Sequence, residues 1–256
     1  MSYRVLLEAL ARKRVVILKE YPVNTLTQLA VTYLFFAGIF FGGKAVAGPA
    51  ITDSLPGIIV GFFVWTMAIT AFAGAARSIM QEAQWGTLEQ LYMSPYGFER
   101  VMAVNAVVRL LESFAWGGVI LAAMLATTRQ TLSLDVLTVV PLVVLTVASA
   151  LGIGFVFAGL ALVYKRIENL FGLFNFGLLF LIAAPVDEYP ALAALPLTQG
   201  SALLQRAMTD GVALWNLPAI ELAILVATAV GYAAVGMVAF RVAEARARRD
   251  GLLGQY

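Results

Sequence analysis

The sequence predicts an all-α integral membrane fold with six transmembrane helices, and three observations carry that prediction. Of the 256 residues, 61% are hydrophobic and 12% charged, with a mean hydropathy of +0.89. Soluble domains hold about 45–50% apolar and 25% charged residues. The apolar residues gather into six runs, each near the roughly 20 residues that a bilayer core requires. The Lys and Arg residues gather between those runs, on alternate connections.

Composition also removes whole classes of chemistry. The chain has no Cys and no His, so disulfides, thiolate or imidazole metal sites and His-based catalysis are excluded. No metal site is expected. A net charge of +2 is too small to point to nucleic acid.

Residues 1–22 place Arg4, Glu8, Arg12 and Lys19 on one helical stripe, with Val5, Leu6, Ala9, Leu10, Val16 and Ile17 over most of the rest. That division predicts an amphipathic helix along the cytoplasmic membrane surface; plain flanking charge before a membrane helix is the alternative. The basic residues are spread out, with no short apolar run and small-residue cleavage site at once behind them, so no cleaved signal peptide is expected. Tyr21-Pro22 marks the bend into the bilayer.

A six-helix domain over 23–240 follows, with spans at Leu26–Gly43, Leu55–Ala76, Ala103–Thr127, Val136–Tyr164, Leu170–Ala184 and Leu217–Phe240. The fifth is the shortest and ends at Pro185, so a clean crossing is not expected of it. A basic tail, 241–256, closes the chain. With both termini inside, Arg4, Arg12, Lys13, Arg14, Lys19, Arg77, Arg100, Lys165, Arg166, Arg241, Arg246, Arg248 and Arg249 lie on the cytoplasmic side. Lys44, Arg129 and Arg206 fall outside and Arg109 lies within a span, as the positive-inside rule requires.

Inside the spans, Arg109 and Glu112 stand three apart, the spacing of an ion pair on one helix face. A charge at membrane depth marks a pathway or an internal pair; we read these two as a structural pair, with Arg109 near enough to the cytoplasmic end to extend toward water. Gly38/Gly42 and Gly57/Gly61 form two GxxxG patterns and Gly154/Ala158 a weaker version, candidates for close helix packing within one subunit or between two.

The connection at 82–97 is the most informative part of the chain. Glu82-Ala83-Gln84-Trp85-Gly86-Thr87-Leu88-Glu89-Gln90-Leu91-Tyr92-Met93-Ser94-Pro95 is polar and bounded by capping residues between two spans. Thr87 with Gln90 three residues on has the capping-box arrangement. Glu89 falls in the first turn, where the helix dipole favours a negative charge. Ser94-Pro95 and Gly97 stop the helix. The helix so defined is under two turns, too short to persist in water unless Leu88, Leu91 and Tyr92 pack on something.

The outer loop at 185–216 carries Asp187, Glu188, Pro190 and Pro196, then a short amphipathic helix over 200–208 with Leu203, Leu204 and Met208 inward. Tyr189 and Trp215 suit the interfacial aromatic belt. The loop either dips into the outer leaflet and back or lies on the surface; spacing leaves both open.

There is no phosphate-binding GxxxxGK[ST] loop, no HExxH, no nucleophile elbow and no run of intramembrane carboxylates. Energy for uphill transport would have to come from another polypeptide. At this point the chain resembles the permease subunits of ABC-2-type exporters. Glu82 to Pro95 resembles the family's E…GTLEQL…SP segment. Tyr164-Lys165-Arg166-Ile167-Glu168-Asn169 resembles the turn before its fifth helix, Leu195-Pro196-Leu197-Thr198 its outer P-L-T segment, and Gly251-Leu252-Leu253-Gly254 its C-terminal ending.

The resemblance implies six membrane helices, an N-terminal interface helix and short re-entrant outer helices before the sixth span. It implies a plasma or inner membrane location, and export of a drug-like, lipid or glycan substrate. ATP and Mg would bind a separate nucleotide-binding ATPase subunit, this chain binding no cofactor and being no enzyme. A second permease copy or paralogue and membrane lipids would be its other partners. Glu82, Gly86, Thr87, Leu88, Glu89, Gln90, Leu91, Tyr92, Ser94 and Pro95 would lie in the ATPase-coupling region. The chain departs from polysaccharide exporters in lacking an aromatic array for sugar, which turns the expectation toward a drug or lipid. Two alternatives stand beside it: an accessory membrane anchor or regulator of an ATPase, and a membrane-embedded enzyme, the latter disfavoured by the missing His, Cys and clustered carboxylates.

Overall fold

A computed structural model describes residues 3–47, 50–85, 87–164 and 167–250. The molecule is 86% helix, with no strand among the described residues. The helices are α1 (Tyr3–Glu20), α2 (Pro22–Ala47), α3 (Ala50–Gln84), α4 (Leu88–Tyr92), α5 (Phe98–Thr128), α6 (Val136–Tyr164), α7 (Glu168–Ile182), α8 (Thr198–Thr209) and α9 (Ala219–Arg249). Two 3-10 turns, Pro190–Ala194 and Leu214–Asn216, flank α8. Five segments are long and apolar enough to cross a membrane: Pro22–Val46, Ser54–Glu82, Phe98–Thr128, Val136–Tyr164 and Ala219–Arg249. α7 has 15 residues, about 22 Å of helix against a hydrocarbon core of about 30 Å.

The packing of α6 on α9 fixes the chain's course. A Cβ on Gly152 would lie 2.2 Å from the Tyr232 carbonyl oxygen, and one on Gly236 would lie 2.0 Å from the Gly152 carbonyl oxygen. Further along, Gly159 meets Phe240 and Ala243. Residue numbers rise together along both helices, so α6 and α9 run parallel, and the chain must return to the start of α6 before α9 can begin. α7 makes most of that return. Its last residue, Ile182, accepts a hydrogen bond from the Ser201 hydroxyl at 2.9 Å, and Leu197 N–H donates to Ser149 Oγ on α6 at 3.1 Å. The turns around α8 complete it, with Leu214 N–H donating to Thr138 Oγ1 at 3.0 Å.

The core lies where α3, α6 and α7 meet. Phe72 sits 4.9, 5.5 and 5.0 Å, centroid to centroid, from Phe157, Phe171 and Phe174, and Met67, Leu142, Leu162, Leu178 and Leu203 are fully buried. α8 packs on the bundle, with Leu203, Leu204, Ala207 and Met208 buried as its amphipathic pattern predicts. Arg206 ties it to Asp187 and Glu221 at 3.2 and 2.9 Å. By contrast, the apolar windows of α2 and α9 are only 11% and 17% buried. Leu26, Val31, Leu34, Val230, Val235 and Val238 form an exposed apolar belt, the surface a bilayer would cover.

Three details emerge at this level. Within one subunit the GxxxG glycines are not the sites of closest approach: a Cβ on Gly38 or Gly42 meets nothing within 4 Å of the same chain. One on Gly57 or Gly61 meets side chains at an ordinary 3.8 and 3.5 Å. Backbone-to-backbone contact falls instead on Gly152, Gly154 and Gly236, because α6 is buried from several sides. α9 continues past Phe240 to Arg249, so the basic tail begins as helix. Alanines and the Glu244–Arg248 pair at 3.5 Å sustain it. On α1, Val5, Ala9 and Val16 are exposed, while Leu6, Leu10, Arg14 and Ile17 turn toward the bundle. Lys165, Arg166 and Gly251-Leu252-Leu253-Gly254 lie outside the described residues.

Candidate functional site

One end of the bundle gathers α1, the α3–α4–α5 connection and the charged end of α9. Glu82, in the last turn of α3, is 8% exposed and is the fastening point. Its carboxylate is paired with Lys13 of α1 and accepts the Thr87 hydroxyl at 2.5 Å. Its carbonyl accepts the Thr87 N–H at 2.8 Å. Thr87 thus precedes α4 as expected, but its hydroxyl is turned back to Glu82 and the capping box with Gln90 does not form. Donation to that carboxylate sets the position of the Thr87 hydroxyl, and from there its oxygen does not accept the Gln90 N–H that a cap requires. Lys13 Nζ also stands 5.9 Å from the centre of the Trp85 ring.

α4 is a helix of five residues, Leu88–Tyr92. Ser94 N–H donates to the Leu91 carbonyl at 3.3 Å, and Gly97 N–H to the Ser94 carbonyl at 3.0 Å, closing the turn into α5. Gly97 has φ +79°, a conformation that glycine adopts without strain. The apolar side chains of the segment face the bundle. Leu88 is 1% exposed, and Tyr92 stacks on Phe98 at 4.0 Å and 14°. Phe98 in turn stacks on Phe240 of α9 at 5.7 Å. Leu88 and Tyr92 thus find in the bundle itself the packing that so short a helix needs. The outward side carries Trp85, Gln90, Met93 and Pro95, with Trp85 51% and Met93 76% exposed. Gly86 and the side chain of Glu89 lie outside what is described.

A second fastening lies deeper. Arg109 Nη1 donates to Glu112 Oε2 at 3.0 Å, the pair that the spacing predicts. Arg14 of α1 joins it, donating from Nε at 2.8 Å and Nη2 at 2.5 Å to the same carboxylate. Trp116 Nε1 donates to Glu112 Oε1 at 3.0 Å, and Arg109 Nη2 donates to Ser78 Oγ at 2.7 Å. Arg109 and Glu112 are 8% and 7% exposed. Gly74 makes the room: a Cβ there would lie 2.8 Å from Arg109 Cδ. α1 is thereby held at adjacent residues, Lys13 to α3 and Arg14 to α5.

Sequence reasoning missed Arg14. The only signal was the Lys13-Arg14 dipeptide in a helix otherwise marked by its outward stripe. No group of His, Cys, Asp and Glu among the described residues is arranged to hold a metal ion. Comparison with family models, curated proteins and solved structures finds no match.

Proposed function

We propose that this chain is the transmembrane subunit of an ATP-driven exporter of the ABC-2 type. It would move an amphiphilic drug-like, lipid or glycan molecule out of the cytoplasm, powered by a separate ATPase subunit. In this reading α7, with the turns around α8, supplies a sixth crossing and a re-entrant outer region. α1 lies on the cytoplasmic surface of the plasma or inner membrane, both termini are cytoplasmic, and the exposed faces of α2 and α9 meet lipid and a second permease.

The observation that carries the reading is the build of the α3–α4–α5 connection. It is a short helix at the basic end, fixed to two long helices through Glu82–Thr87 and Tyr92–Phe98, and its inner side is already packed. Its outer side offers Met93, Trp85, Gln90 and Pro95 for docking. An element that is rigid toward the membrane and unoccupied on its outer face can pass the movement of an ATPase to α3 and α5. Coexpression with a phosphate-loop ATPase encoded beside this chain tests the proposal. The ATPase copurifies with the wild type, and reconstituted vesicles take up substrate only with ATP. Copurification without ATP-driven uptake would favour the accessory anchor instead.

A further inference from the structure

We infer that the cleft between the α1–α2 bend, α3 and α5 is a binding site for an anionic phosphate group, the headgroup of an acidic lipid or amphiphile. The cleft encloses about 380 Å³, room for a headgroup and the first part of a chain. Arg14, Arg77 and Arg109 face it, against the single carboxylate of Glu112. Glu112 is fully engaged by Arg14, Arg109 and Trp116, so it has nothing left for Arg77. Arg77 has no ion-pair or hydrogen-bond partner among the described residues. The neighbouring Lys13–Glu82 pair is neutral and adds no anion. Cations in excess around a partly enclosed space attract an anion, and guanidinium groups match phosphate oxygens in geometry.

The rest of the lining fits an amphiphile. Asn24, Gln28 and Thr70 offer hydrogen bonds near the charged mouth, and Leu29, Ile69 and Ile120 line the cleft with apolar surface. Trp65 and Arg77 are twelve residues apart on α3, about 18 Å along the axis. The cleft thus passes from the arginines to a wall of Trp65, Ile69 and Ile120 interspersed with Thr32 and Thr66, over the length of a headgroup and a short tail. This site deepens the exporter reading but does not depend on it, because binding is measured with no ATPase and no ATP present.

The test uses the purified full chain in detergent, titrated separately with short-chain phosphatidate, short-chain phosphatidylcholine and inorganic phosphate. Native mass spectrometry counts bound molecules, and the fluorescence of Trp65, Trp85 and Trp116, all lining the cleft, gives the affinity. Phosphatidate binds saturably, phosphatidylcholine at least about tenfold more weakly, and Arg77→Gln loses about tenfold or more in affinity for phosphatidate. Arg77→Lys keeps most of the binding, and Arg206→Gln, at the opposite end, keeps all of it. Thermal unfolding of Arg77→Gln stays at the wild-type value, because no contact is lost. Arg77-dependent binding of inorganic phosphate alone, as tight as that of phosphatidate, supports the phosphate site and assigns it to a soluble anion; binding of phosphatidate only assigns it to lipid. Equal binding by Arg77→Gln and wild type, equal binding of phosphatidylcholine, or no saturable binding of any probe overturns the inference.

Discussion

Replacing Glu112 by Gln removes one charge and leaves the volume almost unchanged, so it isolates the electrostatic share of the deeper fastening. In the wild type the carboxylate accepts four hydrogen bonds: from Arg14 Nε and Nη2, Arg109 Nη1 and Trp116 Nε1. The amide can accept from one guanidinium and still meet Trp116, but it presents donors where acceptors are needed. Arg109, 8% exposed, then keeps Ser78 as its one hydrogen-bond partner. Orphaning a buried charge costs about 3–5 kcal/mol. Arg14 escapes most of that penalty, since its side chain is 23% exposed and can turn to the cleft. The expected loss for Glu112→Gln is therefore about 3 kcal/mol, and Arg14→Gln, which leaves the Arg109–Glu112 pair intact, costs about 1 kcal/mol. The double variant Arg109→Gln/Glu112→Gln is destabilised less than Glu112→Gln alone, because no charge stays orphaned. Equilibrium unfolding in mixed micelles, followed by circular dichroism, measures all three. A Glu112→Gln protein within about 0.5 kcal/mol of wild type would refute the claim that this network holds α1 to α5.

The other fastening and the helix packing give further expectations. Glu82→Gln breaks the link between α1, α3 and α4; the half-exposed Lys13 limits the global cost to below about 1 kcal/mol. Amide hydrogen exchange over 87–92 should accelerate while α6 is unaffected. Gly236→Ala places a Cβ 2.0 Å from the Gly152 carbonyl, and pushing two backbones apart costs about 1–3 kcal/mol. Gly38→Ala, with open space around it, should be neutral or gain up to about 1 kcal/mol in helix propensity. The same unfolding assay separates the two, and equal losses would contradict the assignment of the close contacts.

What the sequence makes legible is what depends on neighbours along the chain. α6 begins and ends at Val136 and Tyr164 as the apolar run does, and α1 and α2 meet at Tyr21-Pro22. Arg109 and Glu112 pair because three residues of helix place them side by side. The readings that changed depend on distant partners. Thr87 turns from its cap because Glu82 lies within reach, and Glu82 is in place because Lys13, 69 residues away, holds it. Arg14 reaches Glu112 across 98 residues, a pairing that no local spacing encodes. The sequence leaves open which surface receives Leu88, because the wall of Phe98 and α9 beneath α4 exists only once the helices have packed. Gly38 and Gly57 have the motif spacing, yet within the subunit Gly152 and Gly236 have the contact, since a GxxxG pattern says that a helix can be approached closely and not by what.

The central claim is that the outward side of the α3–α4–α5 connection receives an ATPase, and Met93→Asp tests it most directly. Met93 is 76% exposed, so the carboxylate is harmless in the free subunit. In a docked interface it would be buried without a partner, which is costly. Copurification of the ATPase and ATP-driven uptake are measured together with the unfolding midpoint of the variant. The account predicts a wild-type midpoint with ATPase binding and uptake both lost. Wild-type binding and uptake in Met93→Asp would contradict it and place the coupling surface elsewhere.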